Sequence, residues 1–202
     1  MNRLLSTALI APMVMLAPYA AAQSVAEHPA QIQLQQNVDA VLNIARNRSL
    51  SEQQKIRQIE RYADGYLDYQ RISALAVGRP WQQFTPAQKN EFVRAFKDMM
   101  IRMYARSALM GANDAKVKVL PKVVAGQNNR VEAFTEITTP GGQKYTVSYS
   151  LYKVGSVYKA YDFKVSGSSL VTVYRSQFAE LIRQQGIDGT IATLKQKGLK
   201  QP

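Results

Sequence analysis

The chain has 202 residues, with 26 Lys and Arg against 14 Asp and Glu, a formal net charge of +12, one histidine and no cysteine. Without thiols it makes no disulfide and offers no sulfur ligand, and a single imidazole leaves acid–base and metal chemistry short of converging groups. Its length allows one domain with a core and room for a cavity, and its basic excess points to anionic headgroups or an acidic protein surface as partners.

The first 22 residues read as an export signal: Arg3 is the positive start, Leu4 to Leu16 an apolar run, and Ala20-Ala21-Ala22 a small-residue cleavage site. The run is shorter than the ~20 residues a bilayer span needs. The expected organisation is therefore a signal peptide at 1–22 and a single α+β domain at 23–202. His28 is expected to be a solvated residue near the new N-terminus.

Helices come first. Residues 30–47 carry Ile32, Val38, Val41, Leu42 and Ala45 at helical spacing. Ser49-Leu50-Ser51-Glu52 has the form of a capping box for a second helix that buries Ile56, Ile59, Tyr62 and Tyr66. A shorter helix is predicted over Tyr69 to Val77, stopping at Gly78 before a loop that holds Trp81, the only tryptophan. Thr85-Pro86 then caps and opens a long helix running to about Met110. All methionines beyond the leader, at 99, 100, 103 and 110, fall on it. Methionine is unbranched and polarizable, so such a cluster suits either a core stripe or a surface that fits ligands of variable shape.

Beyond Gly111 the apolar period shortens to two. Lys116–Val124, Arg130–Thr138, Lys144–Val154 and Val157–Ser166 are predicted strands, separated by Gly126-Gln127-Asn128-Asn129, Thr139-Pro140-Gly141-Gly142 and Gly155-Ser156. Such short turns make antiparallel hairpins. In the third strand Tyr145, Val147, Tyr149 and Leu151 share one face, and in the fourth Val157, Tyr161, Phe163 and Val165 do. The sheet is thus expected to have one side covered by helices. A last amphipathic helix follows Gly167, with Leu170, Val171, Tyr174, Phe178, Leu181 and Ile182 on one side, ending in Gly186-Ile187-Asp188-Gly189.

Two long stretches carry a family resemblance. Residues 161–189, YDFKVSGSSLVTVYRSQFAELIRQQGIDG, together with Leu67 to Ile72, Ala76 to Trp81, Thr85 to Gln88 and Phe92, Phe96 and Tyr104, resemble the toluene-tolerance family of MlaC-type periplasmic phospholipid-binding proteins. Tyr158, where a tryptophan is usual, and Val173, where a polar residue is frequent, depart from its pattern. The resemblance implies an NTF2-like α+β fold, with N-terminal helices, a curved four-stranded antiparallel sheet and C-terminal helices around an apolar pocket. It implies a periplasmic monomer that carries phospholipid between an outer-membrane lipoprotein–porin complex and an inner-membrane ABC transporter, the latter met through its MCE-domain protein. Expected tail contacts are Met99, Met103, Tyr104, Val147, Tyr149, Leu151, Val171 and Tyr174, with phospholipid as ligand and no cofactor, metal or nucleic acid.

Two other classes remain beside the carrier. A hydrolytic enzyme would need a carboxylate pair such as Glu136 and Asp162 on neighbouring strands, although Asp162 more simply pairs with a cation or caps a turn. A basic periplasmic protein-binding module without lipid would use the surface charge alone.

Overall fold

Side-chain caps set where the helices begin. The computed structural model describes residues 27–105, 109 and 111–196, so the leader at 1–22 and Met110 lie outside the described residues. Helix α1 (Pro29–Arg46) opens on His28, whose Nδ1 accepts from the Ala30 amide at 3.1 Å. His28 is half-buried, its ring edge-on to Tyr158 at 5.9 Å, rather than the solvated terminal residue expected. Helix α2 (Glu52–Tyr66) is capped by Ser51 with Gln54, two residues later than the predicted Ser49–Glu52 box. Both tetrads fit the same pattern, but Asn47 Oδ1 takes the Ser49 amide and hydroxyl at 2.9 and 2.7 Å, holding Ser49 in the preceding turn.

Helix α3 (Tyr69–Val77), capped by Asp68, stops at Gly78, whose φ of 72° lies in the region that favours glycine. After a 3₁₀ turn at Arg79–Gln83, helix α4 (Pro86–Met100) opens on a capping box of Thr85 and Gln88. The predicted helix to Met110 is α-helical from Pro86 to Met100 and widens into a π turn at Ile101–Ala105, with Leu109 and Gly111 again helical.

The sheet has five strands in sequential order, one more than expected: β1 (Lys116–Ala125), β2 (Arg130–Thr138), β3 (Lys144–Val154), β4 (Val157–Val165) and the two-residue β5 (Ser168–Ser169). All neighbours are antiparallel. The β3–β4 register slips between Ser150 and Leu151, where Asp162 faces Ser150 but Ala160 faces Leu151. That bulge flips the phase of β4. Tyr161, predicted to share a face with Phe163, turns to the opposite side, while Tyr158 and Ala160 join Phe163, Tyr149 and Leu151 on the inner face. The start of β4, an edge otherwise open to further pairing, is covered where Asp68 N donates to Ala160 O at 2.9 Å.

Helix α5 (Leu170–Gln196) starts where the Asp162 carboxylate accepts from the Val171 amide at 3.1 Å. It kinks at Gly186, φ 72°, and continues, where the sequence had suggested an end. The continuation carries Ile191 and Leu194 into the interior.

Two interiors result. A helical core joins α3, α4 and α5 around Phe92, Phe96, Tyr174 and Phe178; a smaller one lies between α1 and the inner face of the sheet, around Leu34, Val119, Ala133, Leu151, Tyr158 and Ala160.

Candidate functional site

The smaller interior is not filled. Between α1 and the sheet lies a cavity of about 400 Å³, within the ~300–1,000 Å³ range of small-molecule sites. Leu34, Val38, Val41 and Leu42 form its α1 wall, at the spacing that puts side chains on one helical face. Tyr149 and Leu151 of β3 with Tyr158 and Ala160 of β4 form the opposite wall, and Val117 and Ile137 close one end beside Gly111, Ala112 and Ala115. The β4 bulge delivers Tyr158 and Ala160 to this wall; strict alternation would have sent them outside.

No charged side chain lines the space among the described residues. Its polar atoms are mostly engaged: Asn37 Oδ1 accepts from the Tyr62 hydroxyl at 3.1 Å, and the Tyr149 hydroxyl shares a hydrogen bond with Thr135 Oγ1 at 3.2 Å. Burial pushes the Tyr66 and Tyr149 hydroxyls well above the usual phenol range, so both stay neutral. An uncharged, largely apolar hollow favours hydrocarbon over ions or water. At about 30 Å³ per water-sized group it holds roughly a dozen such groups, and methylenes are of similar bulk, so it suits about one alkyl chain.

Helix α1 is held over the hollow by few polar ties. Gln33 pairs with the Tyr158 backbone, donating to its carbonyl at 2.7 Å and accepting from its amide at 2.8 Å. At the other end Arg46 Nε donates to Ala112 O at 2.8 Å, and Lys55 Nζ to Ala45 O at 2.7 Å.

Of the expected tail contacts, the structure brings Tyr149 and Leu151 to the cavity wall. Val147 is on the same inner face, two residues further along β3, and is 9% exposed. Met99, Val171 and Tyr174 are buried in the helical core, with Met103 and Tyr104 packed half-buried against it. Tyr104 and Tyr174 share a hydrogen bond between their hydroxyls at 3.1 Å. Sequence reasoning passed over the α1 wall and the Gly111–Ala115 segment. The helical period of Val38, Val41 and Leu42 was visible, but periodicity does not say which helix covers the sheet.

The carboxylates considered for hydrolysis are otherwise engaged. Glu136 pairs with Lys144 at 3.0 Å, and Asp162 accepts from Ser169 Oγ at 2.7 Å as well as capping α5. Among the described residues no group of three or more His, Asp or Glu is placed to hold a metal, and no helix is long and apolar enough to cross a membrane.

Comparison with known proteins bears on the same region. The family described as MlaC protein matches residues 35–196. The toluene tolerance protein ttg2D of Pseudomonas putida is 28% identical over 127 residues, 58% of each chain. The intermembrane phospholipid transport system binding protein MlaC of Haemophilus influenzae is 22% identical over 140 residues, 68% of this chain and 64% of its own. The match thus spans less than two thirds of either curated relative. A solved phospholipid-binding protein from Ralstonia solanacearum, in complex with a phospholipid, superposes with a TM-score of 0.73 at 28% identity, covering 84% of this chain and 96% of that one.

Proposed function

We infer that this chain, which belongs to the MlaC family, is a phospholipid-binding transport protein that holds lipid hydrocarbon in the hollow beneath α1. The observation that carries the reading is the uncharged cavity of about 400 Å³, walled by aliphatic and tyrosine side chains, in a fold shared with a protein solved in complex with a phospholipid. The energetics fit. A two-tailed lipid of ~30 methylenes loses on the order of 24 kcal/mol in water at ~0.8 kcal/mol per methylene, and an apolar hollow returns part of that. With room for about one chain, a second tail requires α1 to move away from the sheet. Tyr149 and Leu151 are the proposed tail contacts retained from the sequence, joined by Val38, Val41 and Leu42. Val147 extends the same wall, and Met103 and Tyr104 come into play only if the hollow enlarges toward α4.

The finer reading places the protein in the periplasm, as a monomer passing glycerophospholipid between an outer-membrane lipoprotein–porin complex and the MCE-domain protein of an inner-membrane ABC transporter. It rests on the export signal read at 1–22 and on the family. A protein-binding module without lipid is disfavoured because it leaves the lined hollow without an occupant. Mass spectrometry of a solvent extract of the purified protein tests the central claim: copurifying phospholipid in near-stoichiometric amount is expected, and a lipid-free protein that takes up none from vesicles refutes it.

A further inference from the structure

The face of the sheet turned away from the cavity carries its own pattern. The β1–β2 and β3–β4 turns lie at the same end of the sheet, where Lys153 N meets Asn129 O at 3.3 Å. Pairing register puts Val124 beside Glu132, Arg130 beside Tyr152, and Val154 beside Val157, all on the outer face. Val124, Val154 and Val157 are 44%, 48% and 39% exposed. Isolated exposed valines are ordinary, but these lie toward one end of the outer face.

Cations lie on the same face. The Arg71 guanidinium reaches round the β4 edge to lie 4.4 Å from the Tyr152 ring centre and 4.8 Å from that of Tyr161, and Arg130 lies 5.9 Å from the same Tyr161 ring. Neither guanidinium forms an ion pair among the described residues. Stacking on aromatic faces fixes an arginine while leaving N–H groups of its fork for an oxyanion, although Arg71 also bonds the Tyr152 hydroxyl. Of the acids nearby, Glu132 pairs with Lys164 at 2.8 Å, Asp68 accepts from the Tyr152 hydroxyl and keeps its charge, and Asp162 is engaged in capping α5. A groove of about 240 Å³ runs between Gly126, Arg130, Tyr161 and Lys164.

We propose that this end of the outer face docks on an anionic lipid bilayer, with Arg71 and Arg130 on headgroup phosphates and Val124, Val154 and Val157 at the headgroup–acyl boundary. Exposed apolar side chains and cations on one face match the two layers of such a surface. The site is separated from the cavity by the sheet itself, so docking leaves the lipid-holding interior untouched. It adds to the carrier reading and depends on it only for its purpose.

Flotation with vesicles tests it, using the full secreted protein, phosphatidylcholine vesicles with and without 30% phosphatidylglycerol, and the variants Arg130→Gln, Arg71→Gln/Arg130→Gln and Val154→Ser/Val157→Ser. Expected is binding that needs the anionic lipid, weakens with salt, and falls about fivefold per cation removed, roughly 25-fold for the arginine pair. The valine variant should weaken binding without altering its salt dependence. Arg130 is exposed, so its single variant keeps the question answerable should loss of Arg71 disturb the Tyr152 contact. Equal binding to both vesicles, unchanged binding by Arg130→Gln, or binding only to an acidic protein surface overturns the docking face. Copurifying phospholipid measured in the same samples separates that outcome from failure of the carrier reading.

Discussion

Filling the hollow from α1 is the sharpest way to ask whether hydrocarbon sits there. Val41 is half-buried and lines the cavity on the α1 wall, so Val41→Phe grows into free volume rather than into packed atoms. The change adds four carbons and displaces about as many methylenes of a bound tail. At ~0.8 kcal/mol per methylene the loss is ~3 kcal/mol, about 200-fold in lipid affinity. The delipidated protein should instead become more stable, since the new ring gains apolar contacts where the native protein has none. Displacement of an environment-sensitive acyl probe by unlabelled phospholipid gives the affinity, and thermal melts of delipidated samples give the stability. Unchanged lipid affinity together with a raised melting temperature would refute the reasoning, because it would mean the ring fills space the lipid never uses.

Gln33→Ala removes both ties to the Tyr158 backbone, worth about 1 kcal/mol each; stopped-flow transfer of lipid to acceptor vesicles should quicken several-fold while equilibrium lipid content changes little. Tyr149→Asp puts a carboxylate into the cavity wall and should empty the protein, whereas Val171→Asp buries one in the helical core, where Val171 is 4% exposed, and should abolish cooperative unfolding altogether by circular dichroism. Glu132 is held below its ordinary value of 4.5 chiefly by its hydrogen bonds from Lys164 and Ser148. Its contribution, about 1 kcal/mol or less for so exposed a pair, is present above pH 4.5 and lost as pH falls through the lowered folded value. Glu132→Gln should therefore flatten that part of the acid unfolding profile and leave neutral-pH lipid binding alone.

Strand limits were legible because turns are written in glycine, proline and asparagine; β2 and β3 begin and end where predicted, β1 runs one residue longer and β4 one residue shorter. The Thr85-Pro86 start was equally plain. Two things were not. The β4 bulge is a shift in how β4 pairs with β3, so a strict period of two misassigned Tyr161 and hid Tyr158 and Ala160 from the wall. The methionines were ambiguous for a different reason. A methionine stripe marks plastic packing as readily as a ligand surface, and Met99 and Met100 face an aromatic cluster that already fills the space: Phe92 and Phe178 at 4.9 Å, Phe96 and Tyr174 at 5.1 Å, Phe96 and Phe178 at 5.1 Å. The fold class survived these errors because it rests on the change from helical to alternating period near Gly111, whereas the site rests on which helix covers the sheet, which is a tertiary choice.

The unequal interiors suggest how such a protein binds hydrocarbon without keeping it. Edge-to-face aromatic contacts across α4 and α5 make the helical core a stiff frame. On the sheet side α1 is anchored through Ala30 and Leu34 and a few polar ties, while Val38, Val41 and Leu42 beyond the anchor face the hollow. Swinging α1 aside costs the two Gln33 bonds and those of Arg46 and Lys55 at about 1 kcal/mol each, and the burial of Leu34 at roughly 2 kcal/mol. Exposing one ~15-methylene tail to water costs about 12 kcal/mol. Moving α1 is thus cheaper than the loss it guards against, so a tail is expected to leave only when another apolar phase is waiting at the mouth. A hollow sized for one chain, not two, keeps the grip loose enough for that exchange to run in either direction.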